Sequence, residues 1–229
     1  MPSFVTRSNQ KELLDADNIP FEDIEQNLRE LNFINNYLGG HAITLHGIQT
    51  LLMSNKAIDE PIHIVEIGCG GGDNLAYLQK KLKGNFTFTG VDLKDSCIAF
   101  ARKKYPGIRF ITSDYRDLEF ATKPHIIFSS LFCHHFSRKE LVEQFSWMQQ
   151  HSSMGFVIND LHRQPLAYWS IKLLTAVFSS SYLVKNDAPL SVLRAFKKPE
   201  LRELLNKACV PVFSIQWKWA FRYLVVAKK

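Results

Sequence analysis

Val65-Glu66-Ile67-Gly68-Cys69-Gly70-Gly71-Gly72-Asp73 decides the fold. The apolar run Ile62–Ile67 meets four glycines between positions 68 and 72 and then enters a helical stretch, Asp73–Lys83. A strand that passes into a helix through glycines is the place where an open α/β sheet binds a nucleotide-like ligand, because glycine takes φ > 0 and lets a ligand approach the backbone. As a dinucleotide fingerprint the turn fails, since Gly68-x-Gly70-x-x should close on Gly or Ala where Asp73 stands. No Gly-Lys-Ser/Thr ending marks a phosphate-binding loop. Outward from the turn, β-rich runs at Phe86–Asp92, Ile108–Asp114, His125–Ser130 and Met154–Leu161 alternate with helical ones at Ser96–Lys104 and Arg138–Gln150. That rhythm predicts a parallel sheet with crossover helices. Ser137-Arg138-Lys139-Glu140 opens the last of these helices with a capping box. A helix over Pro199–Ala208 and strands over Val212–Trp219 and Arg222–Lys228 complete a doubly wound, mostly parallel α/β sheet of seven strands.

Spacing makes the glycine turn informative. Glu66, Asp92 and Asp114 end three successive predicted strands, at intervals of 26 and 22 residues, and so line one sheet edge. A carboxylate at the second strand suits a ribose diol, because its two oxygens accept from both hydroxyls, and a third acid suits an adenine amino group. Either aspartate also suits a helix N-cap. With these residues the chain from about Ile62 to Lys229 resembles the class I S-adenosylmethionine-dependent methyltransferases. Glu66-x-Gly68-x-Gly70-x-Gly72 looks like their first motif, Asp92 like their ribose-binding acid and Ser113-Asp114 like their adenine-binding step. Ser129-Ser130-Leu131-Phe132-Cys133-His134-His135-Phe136 resembles the segment after the fourth strand in small-molecule members, quinone-biosynthesis enzymes among them. The resemblance implies a Rossmann-like fold, S-adenosylmethionine as cofactor and S-adenosylhomocysteine as product. It implies the methionine amino group near Glu66 and the Ser130 backbone, the carboxylate near the Gly70–Gly72 amides, the ribose on Asp92, and the adenine between Leu93 and Tyr115.

Methyl transfer from a sulfonium is an in-line displacement that needs alignment, exclusion of water and at most one base. Imidazole is the natural base near neutral pH. His134 and His135 follow the fourth strand, where successive residues are expected to face apart, and His134 is the preferred base. Asn159-Asp160-Leu161-His162-Arg163 leaves the fifth strand at the same edge. There Asp160 or His162 would orient or deprotonate a hydroxyl, and Arg163 would bind an acidic or enolate oxygen. Cys133-His134-His135 lacks a spaced partner group and predicts no metal.

Two segments lie outside the rhythm. Residues 1–20 are polar and weakly patterned, whereas Ile24, Leu28, Leu31, Ile34 and Leu38 recur at helical steps until Gly39-Gly40 breaks them; a second helix runs from about His41 to Met53. Residues 162–198 interrupt the sheet pattern with a run, Leu166–Phe178, that is apolar on nearly all sides and has Lys172 as its one charge. Asp187-Ala188-Pro189-Leu190-Ser191 reads as a turn before a further helix. The predicted organisation is a helical N-terminal extension over 1–60 and a sheet domain over 61–229 carrying a helical cap at 162–198. Tyr168 and Trp169 from the cap, with Tyr37 and His41 from the extension, would enclose an apolar acceptor.

Composition bounds the rest. The 229 residues are 46% apolar and 22% charged, an ordinary globular mixture. Twenty-eight Lys and Arg against 22 Asp and Glu give a net charge of +6, but the basic residues are scattered, so nucleic acid is not favoured. An RNA methyltransferase is the alternative that the charge keeps open, and a catalytically silent, partner-binding subunit is the other. Against nucleic acid, Ser129-Ser130-Leu131-Phe132 stands where exocyclic-amine enzymes carry Asn/Asp-Pro-Pro-Tyr, and no Pro-Cys occurs. No unbroken apolar run is longer than Tyr223–Ala227, far short of a membrane span. The opening residues lack the features of a signal peptide, which makes the cytoplasm the expected location. Cys69, Cys97, Cys133 and Cys209 form no close pair and predict reduced thiols. The expected function is methylation of oxygen or carbon on a small, largely apolar aromatic, quinone-like or polyketide-like acceptor of secondary metabolism, by a monomer or homodimer.

Overall fold

The computed structural model describes residues 2–16, 18–54 and 60–229. Met1, Asp17 and the end of the expected N-terminal extension, 55–59, lie outside the described residues. The helices α1 (Phe21–Tyr37) and α2 (Gly40–Met53) precede β1 (Ile62–Ile67), α3 (Asp73–Lys81), β2 (Phe86–Asp92), α4 (Asp95–Lys104), β3 (Arg109–Thr112) and β4 (Ile126–Ser130). Then come α5 (Arg138–His151), β5 (Gly155–Leu161), α6 (Pro165–Phe178), α7 (Tyr182–Arg194), α8 (Lys198–Lys207), β6 (Val212–Lys218) and β7 (Arg222–Lys228). The seven strands form one sheet in the order β3-β2-β1-β4-β5-β7-β6, parallel except for β7, which runs against both its neighbours. This is the predicted Rossmann-like, mostly parallel seven-stranded architecture. Strand order reverses between β1 and β4, so their outgoing segments diverge and open a crevice at the carboxyl edge.

Helices cover both faces, which is why the central strands read as near-continuous apolar runs. Val65, Ile67, Ile127 and Phe156 face one core with Phe145, Leu201 and Leu204, while Ile64, Phe128 and Val157 face the other with Ile48, Leu75 and Leu78. Each such fully buried aliphatic side chain stabilises the fold by about 1.5–3 kcal/mol. The Ser137 capping box forms as predicted: Ser137 N–H donates to Glu140 Oε2 at 2.8 Å, and Glu140 N–H donates to Ser137 Oγ at 3.4 Å.

Element ends shift by a residue or two in several places, and two readings change for a physical reason. The strand predicted over Ile108–Asp114 narrows to Arg109–Thr112, because Asp114 leaves the ladder to cap a 3-10 turn, accepting the N–H of Arg116 at 2.9 Å. Asp187–Ser191 is not a turn but the middle of α7, which continues through Pro189. A proline inside a helix costs on the order of 3 kcal/mol. Pro189, Leu190 and Val192 are buried there, so tertiary packing outweighs the local rule. No helix among the described residues is long and apolar enough to cross a membrane.

Candidate active site

The turn after β1 is left-handed at Gly68 (φ +68°), Gly70 (φ +50°) and Gly72 (φ +74°). A Cβ on Gly68 would lie 2.2 Å from the Phe132 ring, whereas one on Gly70 would meet nothing nearer than Leu28 at 3.5 Å. The turn therefore packs against the segment after β4 at one glycine and opens into space at the next. Asp92, at the end of β2, fixes it: Oδ2 accepts the N–H of Gly70 and Oδ1 that of Lys94, both at 2.9 Å. Burial pushes the Asp92 carboxyl up, and these two N–H groups work against that rise. Glu66 is buried on β1; its Oε1 accepts from Asn74 at 3.2 Å, and its Oε2 has no hydrogen-bond partner among the described residues. Burial, reinforced by the negative Asp73 and Asp92, holds the Glu66 carboxyl well above its ordinary range. Asp114 is different: hydrogen bonds from the Arg116 guanidinium keep its carboxyl low.

These groups line a cavity of about 370 Å³. Of the predicted cofactor residues Glu66, Gly68, Gly70, Asp92, Leu93, Asp114, Tyr115 and Ser130 all border it; Gly72 does not, and serves as the N-cap of α3. Tyr115 is buried with its ring edge-on to Phe132, Phe136 and Trp147.

A second cavity of about 450 Å³ adjoins the first, sharing Leu14, Leu31, Leu131 and His135. Its walls are largely apolar, with Ile34 from α1, Leu38 just after it, Leu166, Ile171 and Leu174 from α6, and Val184 from α7. Tyr168 and Trp169 do not border it. At 3.6 residues per turn, Leu166, Ser170 and Leu174 share the inner face of α6, and Tyr168 and Trp169 fall on other faces with Lys172 over their rings. Tyr37 is exposed on the outside of α1 against Phe33. His41 is buried away from both cavities, its Nδ1 paired with Asn74 at 3.3 Å and its Nε2 with Asn32 at 3.2 Å and Asp73 at 3.0 Å, so it braces α2 against α3.

Both histidines after β4 border the second cavity. They were expected to face apart; instead their ring centroids lie 4.4 Å from each other. The cause is local: Cys133–His135 is a 3-10 turn, in which successive side chains do not alternate as they do along a strand. His134 Nδ1 meets Asp160 Oδ1 at 2.8 Å, and its backbone N–H donates to Asp160 Oδ2 at 3.2 Å. Burial alone would lower the His134 pKa, but Asp160 and Glu12 outweigh it and hold the imidazole up at about 9. With Nδ1 paired to Asp160 and Nε2 turned to Glu12, His134 is held between two carboxylates and does not stand as the free base that was expected. Asp160 is held low by His134 against its own burial. His162 packs at a tilt against Tyr223, with centroids 4.8 Å apart, and borders neither cavity. Arg163 is fully enclosed and donates to the carbonyls of Phe4, Val5 and Ala195 and to Glu200, so its guanidinium is spent inside the fold.

Sequence reasoning missed the segment 2–16. It crosses the site as a strap: Asp187 accepts the N–H groups of Leu13 and Leu14 at 2.8 and 2.9 Å, Arg194 donates to Gln10 O at 2.7 Å, and Arg7 donates to His134 O at 3.0 Å. The strap places Glu12 against His134 and His135. Because it is held through backbone groups, it has no hydrophobic period to reveal it; buried polar Asp187 and Arg194 are the signal on the receiving side.

Residues 64–155 match a family model described as a methyltransferase domain. That stretch runs from β1 to the start of β5. Among curated proteins, trans-aconitate 2-methyltransferase of Acidovorax sp. (strain JS42) is 30% identical over 79 residues, which is 34% of this chain and 30% of that protein. Fatty-acid O-methyltransferase of Mycolicibacterium smegmatis is 36% identical over 62 residues, 26% of this chain and 22% of that one. The matches thus span under a third of these relatives' length. Among solved structures, the plantazolicin methyltransferase BpumL in complex with SAH superposes with a TM-score of 0.68 at 18% identity, covering 91% of this chain and 90% of that one. Magnesium protoporphyrin IX methyltransferase from Synechocystis PCC 6803 with bound SAH gives 0.55 at 15% identity, covering 86% and 87%. The fold of these structures thus extends over nearly the whole chain.

Proposed function

We propose that this chain transfers a methyl group from S-adenosylmethionine to an oxygen or carbon of a small, largely apolar acceptor. The observation that carries the reading is a pair of joined cavities, one bordered by acids at three adjacent strand ends and the other largely apolar. The first fits the cofactor on its donor set, because the buried Glu66 Oε2 has no hydrogen-bond partner among the described residues and would accept from an ammonium. Asp92 keeps lone pairs beyond its two backbone bonds for the ribose hydroxyls. Leu93 and Tyr115 flank the adenine, and Ser130 closes the methionine end. Gly70 and Gly72 give their N–H groups to Asp92 and to the Cys69 carbonyl, which narrows the expected Gly70–Gly72 cradle for the carboxylate to Gly71.

When bound, the sulfonium supplies an electrophilic methyl, and transfer leaves S-adenosylhomocysteine, the methylated acceptor and the acceptor's released proton. The chain's own part is position and dryness. α1 and the 162–198 segment cover the acceptor cavity and exclude water, with the strap closing its polar end. Isotope-labelled S-adenosylmethionine offered with phenols, quinols and long-chain carboxylic acids is expected to label an apolar member of the panel. Labelling of RNA alone would overturn the small-molecule reading.

Cofactor binding is expected to release a proton. The raised Glu66 carboxyl keeps its proton over a range where an ordinary glutamate is ionised, whereas an ammonium at Oε2 favours the carboxylate. The free protein then holds more protons than the complex, so affinity for S-adenosylhomocysteine rises with pH up to the Glu66 pKa. Calorimetry in buffers of different ionisation enthalpy reads the released proton directly, and Glu66→Gln should abolish it.

A further inference from the structure

We propose that Glu12, His134 and His135 form a binding site for a divalent transition-metal ion of the zinc class. His134 Nε2, His135 Nε2 and the Glu12 carboxylate converge so that their ligand atoms all lie within 4.8 Å of one another. The separations are 3.5 Å from Glu12 Oε1 to His134 Nε2 and 3.7 Å from Glu12 Oε2 to His135 Nε2. These are long for charge-assisted hydrogen bonds, which settle at about 2.7–2.9 Å. They lie close to the edge of a tetrahedron with metal–ligand bonds of about 2.0–2.1 Å, which is about 3.3–3.4 Å.

The far nitrogens support the same reading. A metal-binding histidine gives its other ring N–H to a carboxylate or carbonyl, which fixes the tautomer and the ring orientation. His134 Nδ1 is paired with Asp160 at 2.8 Å and His135 Nδ1 with Asp15 at 3.2 Å, so both rings are held by separate carboxylates with Nε2 turned to Glu12. Ser191 Oγ donates to Glu12 Oε1 at 2.7 Å and steadies that ligand. In charge, Glu12, Asp15 and Asp160 face two imidazoles and the guanidiniums of Arg194, whose Nε is 3.9 Å from Glu12 Oε1, and of Arg7, which donates to His134 O at 3.0 Å.

Adjacent histidines lack the spacing of a sequence-level metal motif, and no metal was expected from them. The fold supplies what the local sequence lacks: the 3-10 turn brings both rings to one side, and the strap brings Glu12. All three ligands border the apolar cavity, which leaves a further coordination position facing it. An acceptor oxygen bound there would be oriented as an anion beside the cofactor cavity; this role, though not the metal site, rests on the methyltransferase reading.

The test is titration of the metal-stripped full chain with Zn²⁺, and with Co²⁺ for its visible d–d spectrum. The expected result is one ion per chain, a cobalt spectrum of a nitrogen- and oxygen-bound, low-coordinate site, and affinity about 100-fold weaker in His135→Gln and about 10-fold weaker in Asp15→Asn. Circular dichroism of the metal-free variants checks the fold, and the half-exposed His135 serves if Glu12→Gln does not fold. Absence of stoichiometric zinc, or the same affinity in His135→Gln as in the parent, overturns the site. S-adenosylhomocysteine titrated into the same metal-free protein separates the two readings. Its binding without zinc binding removes only the metal site, and zinc binding without it supports the metal site while removing the methyltransferase reading.

Discussion

Asp92→Ala is expected to weaken S-adenosylhomocysteine binding about 100-fold while the sheet stays folded. Asp92 Oδ2 and Oδ1 each accept one backbone N–H, from Gly70 and Lys94, on the side of the turn. A carboxylate has about four acceptor positions, so two remain for a ribose diol at the cavity wall. Hydrogen bonds to a charged group contribute about 1.5–3 kcal/mol each, and two of them at the low end make about 3 kcal/mol, or roughly 100-fold in affinity. Asp92→Asn keeps one acceptor oxygen and should fall between the parent and Ala. Calorimetric titration measures all three, and an Ala variant with parental affinity would remove Asp92 from the site.

The second large effect is on stability. Arg163→Ala is expected to destabilise the chain by about 3–5 kcal/mol, because it leaves a buried network without its donor. The guanidinium donates to Phe4 O at 3.3 Å, to Val5 O at 3.1 Å, to Glu200 Oε1 at 2.6 Å and to the Ala195 carbonyl, and so ties the start of the strap to the junction between α7 and α8. For a chain of this size the loss corresponds to a fall of roughly 10 °C in Tm. Arg163→Lys recovers only part of it, since an ammonium cannot reproduce the planar fork. Differential scanning calorimetry gives the number. A substrate-binding Arg163 would instead show an unchanged Tm and a raised KM.

The contrast between these two residues marks what the sequence made legible. Asp92 was readable because its role follows from register: a strand end, a fixed interval from the glycine turn, and a residue type with two acceptor oxygens. The same logic yielded Glu66 and the sheet itself, whose strands are buried on both faces and so print continuous apolar runs. Arg163 was misread because its partners are backbone carbonyls from positions 4, 5 and 195, and a carbonyl leaves no trace in side-chain identity. The strap escaped for the same reason. His134 and His135 were assigned opposite directions by strand geometry, and a 3-10 turn of three residues was enough to bring them together. On α6 the apolar character was plain, yet a helix apolar on nearly all sides does not say which side faces inward. Ala167, Ile171 and Leu174 line the cavity, while Leu173, Val177 and Phe178 remain exposed.

The central claim is that the cavity between Glu66 and Asp92 holds S-adenosylmethionine. The most direct test is calorimetric titration of S-adenosylhomocysteine into the wild-type chain. The account predicts saturable one-to-one binding with release of a proton to the buffer. A fully folded chain that takes up no S-adenosylhomocysteine would contradict it.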